Sequence, residues 1–314
     1  MNERLEILAM SQQGAFGVGD AARVGVGSDE ITRLVRRGEV VRVRRGAYIL
    51  SSVYAVAPVH EQYRLRVMAV LRSRRGEHRA SHHSALALHG LVRYGTSDAL
   101  IELEGRRVTR RRVRAGLATN PWSDESSWGS GAFACVSPAR ACVQLAVTAG
   151  FTAAVCAMDS ALNAGKCTVE ELIQAAATLP PSHRAAAVRA IAAADEHCES
   201  AGETRTRVVL VDAGFTVASQ VEIRSGTALV GRVDLLVDGC VIVEFDGLVK
   251  YDGMDGRRNL AAEKAREERL NRLGYEVVRV VWSDLRDPAA LIRRVLAARA
   301  LTRERQAAMR RLGA

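Results

Sequence analysis

GRVDLLVDGCVIVEFD, residues 231–246, reads as two apolar strands joined by a tight turn with Asp238-Gly239 at its tip. Asp-Gly between alternating apolar residues is among the strongest local signals for a β-hairpin. Three carboxylates interrupt the pattern: Asp234, Glu244 and Asp246. An acid inside a largely buried sheet is costly unless it is paired or holds a cation. Side chains alternate along a strand, so Asp234 opposite Glu244 would share a face with Asp246. Oxygen donors converging there suit Mg²⁺ or Mn²⁺. A two-residue turn at Asp238-Gly239 would instead set Asp234 opposite Val243. A three-residue turn or a one-residue bulge restores the acidic pair, and bulges often re-aim side chains near active sites, so such an irregularity is expected.

Three stretches together carry a resemblance: GETRTRVVLVDAGF (Gly202–Phe215), the central VDLLV and VIVEFDG, and EKAREERLNRLGYEVVRVVWSDL (Glu263–Leu285). From about Glu199 to Asp284 the chain resembles the PD-(D/E)XK nuclease superfamily, in particular domains similar to very-short-patch-repair endonucleases. The resemblance implies a restriction-endonuclease-like mixed sheet with flanking helices. It also implies a metal held by Asp234 and Glu244, with Glu203 joining from the first helix and Asp246 nearby. The sequence departs from the pattern at Glu244-Phe245-Asp246, where the usual E-x-K lysine is absent. Lys250, or Lys264 on the following helix, is expected to supply that charge. Two readings stay open: a Mg- or Mn-dependent DNA endonuclease, favoured because four acidic positions match, and a degenerate nuclease fold kept for binding.

The chain has 314 residues, enough for two or three domains, and 48% hydrophobic with 25% charged residues marks a globular chain rather than a disordered one. A net charge of +10 favours a polyanionic partner, although arginine- and alanine-heavy usage weakens that inference. Aromatic residues make up only 4%, which argues against a platform that stacks single-stranded bases. None of the six cysteines forms a C-x-x-C pair, so buried thiols are expected rather than zinc. No signal-peptide pattern opens the sequence and no run of ~18 apolar residues occurs, so a cytoplasmic protein without a membrane partner is expected.

Residues 1–52 read as a winged helix-turn-helix. Ser28 is the expected cap of a helix in which Ile31, Leu34 and Val35 form an apolar stripe. Arg33, Arg36 and Arg37 fall off that stripe. Val40–Arg44 and Ala47–Leu50 form a hairpin whose strand and tip carry Arg42, Arg44 and Arg45. A recognition helix in the major groove and a basic wing on the phosphates of double-stranded DNA follow from that pattern. This stretch looks like the DNA-binding domain of AbiE-type antitoxins, and so does RASHHSALALHGL (Arg79–Leu91) after it. The resemblance implies a repressor and a cognate toxin as partner.

Residues 53–195 are expected to be a mostly helical middle domain, and 196–314 the nuclease-like domain. His82, His83 and His89 are assigned to a polar helix face, because no nearby carboxylate fits a metal site. GRRVTRRRVRAG (residues 105–116) is the densest positive charge in the chain, and Arg110, Arg111 and Arg112 are expected to grip phosphates. A solvated basic loop is the equally weighted alternative.

Overall fold

The computed structural model describes residues 2–74, 76–123, 126–129, 133–247 and 254–312. The chain divides into two compact units, Met1–Ala161 with Gly165–Ala192, and Leu162–Ala164 with Ala193–Ala314. The division expected at residue 52 runs inside the first unit.

The first unit opens with α1 (Glu3–Ser11), β1 (Ala15–Gly17), α2 (Val18–Arg23), α3 (Ser28–Arg36), β2 (Val40–Arg44) and β3 (Ala47–Leu50). Helix α1 starts where the Asn2 side chain accepts the Arg4 and Leu5 amides. Gly27, not Ser28, caps α3, and the helix ends where Gly38 takes φ 72°. The three strands pair antiparallel in the order β1-β3-β2. Leu5, Phe16, Ile31, Leu34, Val40 and Leu50 fill the core beneath.

After α4 (Ser51–Val56), helix α5 (Val59–Arg72) packs along β1 and β3. Asp20 fixes that contact: its carboxylate accepts the Gly17 amide and the Arg72 guanidinium, each at 2.8 Å. A side chain at Gly17 would collide with the Arg72 carbonyl at 2.8 Å, so only glycine allows the approach.

The middle region departs from the helical expectation. A four-stranded sheet of order β4-β5-β7-β6 stands there, built from β4 (His78–Ala80), β5 (Ile101–Gly105), β6 (Arg112–Arg114) and β7 (Leu117–Pro121). Its β5 and β7 run parallel, and the other pairs are antiparallel. Three of these strands are too short or too polar to show an apolar period, and β6 carries arginines on an exposed edge. Helices occupy the rest: α6 (His82–His89), α7 (Pro138–Thr148), α8 (Phe151–Asn163), α9 (Val169–Ala177) and α10 (Pro181–Ala192).

The second unit runs α11 (Ala201–Asp212), β8 (Val217–Ser225), β9 (Ala228–Val237), β10 (Val241–Phe245), α12 (Met254–Arg272), β11 (Glu276–Val280) and α13 (Pro288–Leu312). Sheet order is β11-β10-β9-β8, antiparallel except for the β10–β11 pair, whose parallel sense requires the crossover through α12. One core joins Leu210 of α11 and Leu291 and Val295 of α13 to Leu235, Val237, Val241 and Val243. A smaller one sets Leu270 of α12 against Val233 and Ile242. The result is a mixed sheet with helices on both faces. Among the described residues no helix is long and apolar enough to cross a membrane.

Candidate functional site

The hairpin quoted first turns through three residues, Asp238, Gly239 and Cys240, between Val237 and its partner Val241. Asp238 and Gly239 hold φ 49° and 67°, the left-handed pair of a type I′ turn closed by the Cys240 amide on the Val237 carbonyl at 3.0 Å, and Cys240 is the extra residue before β10. Of the two irregularities expected, the longer turn sets the register: Val243 faces Leu235, and the next pair in that register is Glu244 and Asp234. A second distortion lies on the other side of Asp234. The β8–β9 pairing skips Gln220 and Asp234 between Ser219–Leu235 and Val221–Val233, and Gln220 takes φ 53°. Val233 and Leu235 accordingly enter opposite cores although two residues apart.

Asp234 is half-buried, and its Oδ2 accepts the Phe245 amide at 2.9 Å. Burial, with the nearby Glu203 and Glu244 carboxylates, pushes its carboxyl up to about 6 against hydrogen bonds from Phe245 and Gln220. Glu203 sits in the first turn of α11, buried, where its Oε2 accepts the Glu199 amide at 3.0 Å and the Gln220 amide group at 2.9 Å. Gly202 makes this possible. A Cβ there would lie 2.1 Å from the Phe245 ring, so α11 docks on Phe245 only through a glycine. Phe245 in turn meets Trp282 edge-on at 5.0 Å.

Glu244 is bound by Arg266 of α12, whose guanidinium also donates to the Arg232 carbonyl at 2.9 Å. Gly231 leaves room for that guanidinium, since a Cβ would stand 2.7 Å from Nε. Arg266 is the cation paired with Glu244 among the described residues. Lys250 lies outside the described residues. Lys264, two positions before Arg266, is exposed and borders an open cleft with Asp246, Glu267 and Arg279. Asp246 is half-buried and spends its amide on the Val280 carbonyl at 2.8 Å.

Sequence reading missed Arg266 and Gln220. Gly231 marks the first only once the crossover is known, and nothing local marks the second. Among the described residues no three His, Cys, Asp or Glu side chains come close enough to share a metal ion. As placed, Glu244 is bound by a guanidinium and Glu203 accepts two hydrogen bonds.

In the first unit, Arg33, Arg36 and Arg37 of the α3 region and Arg42 and Arg45 of the wing are exposed, while Arg44 is half-buried. Arg37 approaches Glu39 at 3.9 Å, and the other exposed four carry no ion pair among the described residues. Arg110, Arg111 and Arg112 are exposed too, but Arg111 reaches inward to Glu102 at 3.0 Å.

His82 and His83 are not on a polar face, and a carboxylate does lie beside them. His82 and His83 are buried, and His83 Nδ1 meets Glu102 at 3.1 Å. Burial raises Glu102, but hydrogen bonds from His83 and Arg111 and the His82 and His83 charges outweigh it and hold the carboxyl at about 2. Next to it the fully buried Arg79 donates twice to Glu104, at 2.8 and 2.9 Å, and Gln144 donates to the other oxygen at 2.7 Å. The Trp122 ring is 4.1 Å from Arg79 and 4.3 Å from Arg106.

Compared with known proteins, residues 3–51 match the family model described as transcriptional regulator, AbiEi antitoxin. The matched segment is the winged helix. No curated protein matches the chain.

Proposed function

We propose that the chain is a DNA-binding transcriptional regulator of the AbiEi antitoxin type, with a cognate toxin as its further partner. The observation that carries the reading is the family match over residues 3–51, on a segment whose exposed helix and wing present Arg33, Arg36, Arg42 and Arg45. In a winged helix these positions serve the major groove and the flanking phosphates. Gel shifts of the full chain on its own promoter region test it. Arg33→Ala or Arg36→Ala weakens binding by about 1–3 kcal/mol where the residue reads a base edge. Arg42→Ala and Arg45→Ala weaken it alike on all sequences and flatten the salt dependence. Wild-type affinity in all four variants would end the reading.

A second reading is a metal-dependent DNA endonuclease in the second unit. It is favoured by the raised Asp234 carboxyl beside Glu203 and Glu244, since perturbed carboxylates cluster at functional sites. A divalent cation there would compete with Arg266 for Glu244, and would supply Lewis acidity toward a phosphodiester. Asp234, Glu244 and Glu203 would be its ligands, with Asp246, Lys250 and Lys264 beside them. Plasmid nicking with Mg²⁺ or Mn²⁺, abolished by EDTA and by Asp234→Asn or Glu244→Gln without loss of melting temperature, is the expected outcome. No nicking under any of these conditions removes the enzyme and leaves the regulator.

A further inference from the structure

A cavity of about 550 Å³ lies in the first unit, where the chain after β7 meets the start of α7 and one face of α9. Two of the chain's three tryptophans, Trp122 and Trp128, line it. Each is anchored to the core. The Trp122 ring lies 4.1 Å from the buried Arg79 guanidinium, and the amide of the next residue, Ser123, donates to Glu104 at 3.1 Å. Trp128 and Cys135 exchange amide-to-carbonyl hydrogen bonds of 2.9 Å, and the Trp128 ring meets His89 edge-on at 5.7 Å. Trp128 is nonetheless 49% exposed. A ring held by the core yet left half in water forgoes burial that would stabilise it, as surfaces kept for binding do.

Two cations stand at the same cavity. The Arg140 guanidinium donates to the Thr178 hydroxyl, and the Lys166 ammonium to the His89 carbonyl. Both acceptors are neutral, and among the described residues neither cation forms an ion pair. The one carboxylate lining the cavity among the described residues, Glu171, accepts the Thr168 amide at 2.9 Å in the capping box of α9. Gln174 follows it on the same face of α9, and its side chain makes no hydrogen bond among the described residues. Lys166, Glu171, Gln174 and Thr178 are exposed, so solvent and solutes reach the cavity. A concave site of this size, with aromatic walls and a few polar groups, is what a small molecule requires.

We infer that the cavity binds a free nucleoside monophosphate, with its base on Trp128 and its phosphate on Arg140 and Lys166. Every base offers a π-face to an indole ring, and one stacked base needs only one such ring. A phosphate accepts charge-assisted hydrogen bonds from a guanidinium and an ammonium, which supplies the counter-charge these two lack. The Gln174 amide both donates and accepts, as a base edge or a ribose hydroxyl requires. The site stands apart from the regulator reading: every residue of it lies outside the segment 3–51 matched by the antitoxin family model.

Calorimetric titration of the full chain with the adenine, guanine, cytosine and uracil nucleoside monophosphates tests it, followed in parallel by tryptophan fluorescence. At least one of the four is expected to bind at a single site and to quench the emission. Its nucleoside and inorganic phosphate, offered separately, each bind at least about tenfold more weakly, because each keeps only part of the contacts. Trp128→Leu and Lys166→Gln each weaken binding by about tenfold or more and leave the melting temperature of the unliganded chain unchanged, since both residues are exposed. Arg36→Ala, on the basic face of α3, leaves nucleotide binding intact, which separates this site from the proposed DNA-contacting surface. No binding by any of the four overturns the proposal, as does binding that survives both Trp128→Leu and Lys166→Gln or that Arg36→Ala abolishes.

Discussion

Two groups of shielded acids, one in each unit, are handled in opposite ways. Glu102 and Glu104 of the central sheet each face a guanidinium, Arg111 for the first and Arg79 for the second. Around Asp234 the acids face one another, and among the described residues only Glu244 has a cation of its own, Arg266. Glu102 is therefore held below the usual carboxylate range and Asp234 above it. The first arrangement spends its charges on holding β4, β5 and α6 together. The second holds a carboxyl whose charged form is disfavoured, which costs stability at neutral pH and is typical of sites that bind or react.

The largest contrast is expected on removing one member of the paired group. Glu104→Gln leaves the Arg79 guanidinium fully buried without its counter-charge and costs about 3–5 kcal/mol in a denaturant titration. A loss no larger than that of an ordinary surface change would mean that solvent reaches Arg79 and that the two groups do not differ as described.

A smaller effect is expected of Gly202→Ala. The new methyl falls inside the Phe245 ring, so α11 shifts at a cost of about 1–3 kcal/mol. Glu203 moves with it, and the Asp234 titration, followed by carboxyl NMR, drops toward the ordinary range. An Asp234 midpoint that stays near 6 would show that Glu203 is not what raises it.

The pH dependences should differ in sign. Asp234 binds its proton more tightly folded than unfolded, so its penalty is absent below about 4, grows as pH rises, and is complete above about 6. Stability of the second unit from this group rises as pH falls from 6 to 4. Asp234→Asn removes that slope and stabilises at pH 7.5 by about 1 kcal/mol once solvent screening is allowed for. Glu102 behaves oppositely: its contribution is full above about 4.5 and is lost as pH falls toward 2. Melting of wild type and Asp234→Asn across pH 4–8 checks this, and parallel curves would refute the Asp234 assignment.

Local signals announced much of this molecule. The wing hairpin falls at Val40–Arg44 and Ala47–Leu50 as read from the sequence. Within the central sheet β4 and β6 escaped, because they are three residues each, shorter than any periodicity can register. The histidines were misread for a related reason: their carboxylate, Glu102, sits on a different element, and adjacency across elements leaves no trace in spacing.

The sequence by itself determined the wing hairpin, which face of α3 is basic, and that acids interrupt the 231–246 hairpin. Backbone propensity, capping and period are properties of neighbours along the chain. Only the tertiary structure decided the register that makes Glu244 and Asp234 the next pair after Val243 and Leu235, and that Arg266 meets Glu244. Those outcomes depend on turn length, on where a crossover helix lands and on which glycines admit a close approach, and each is settled by packing between residues far apart in sequence.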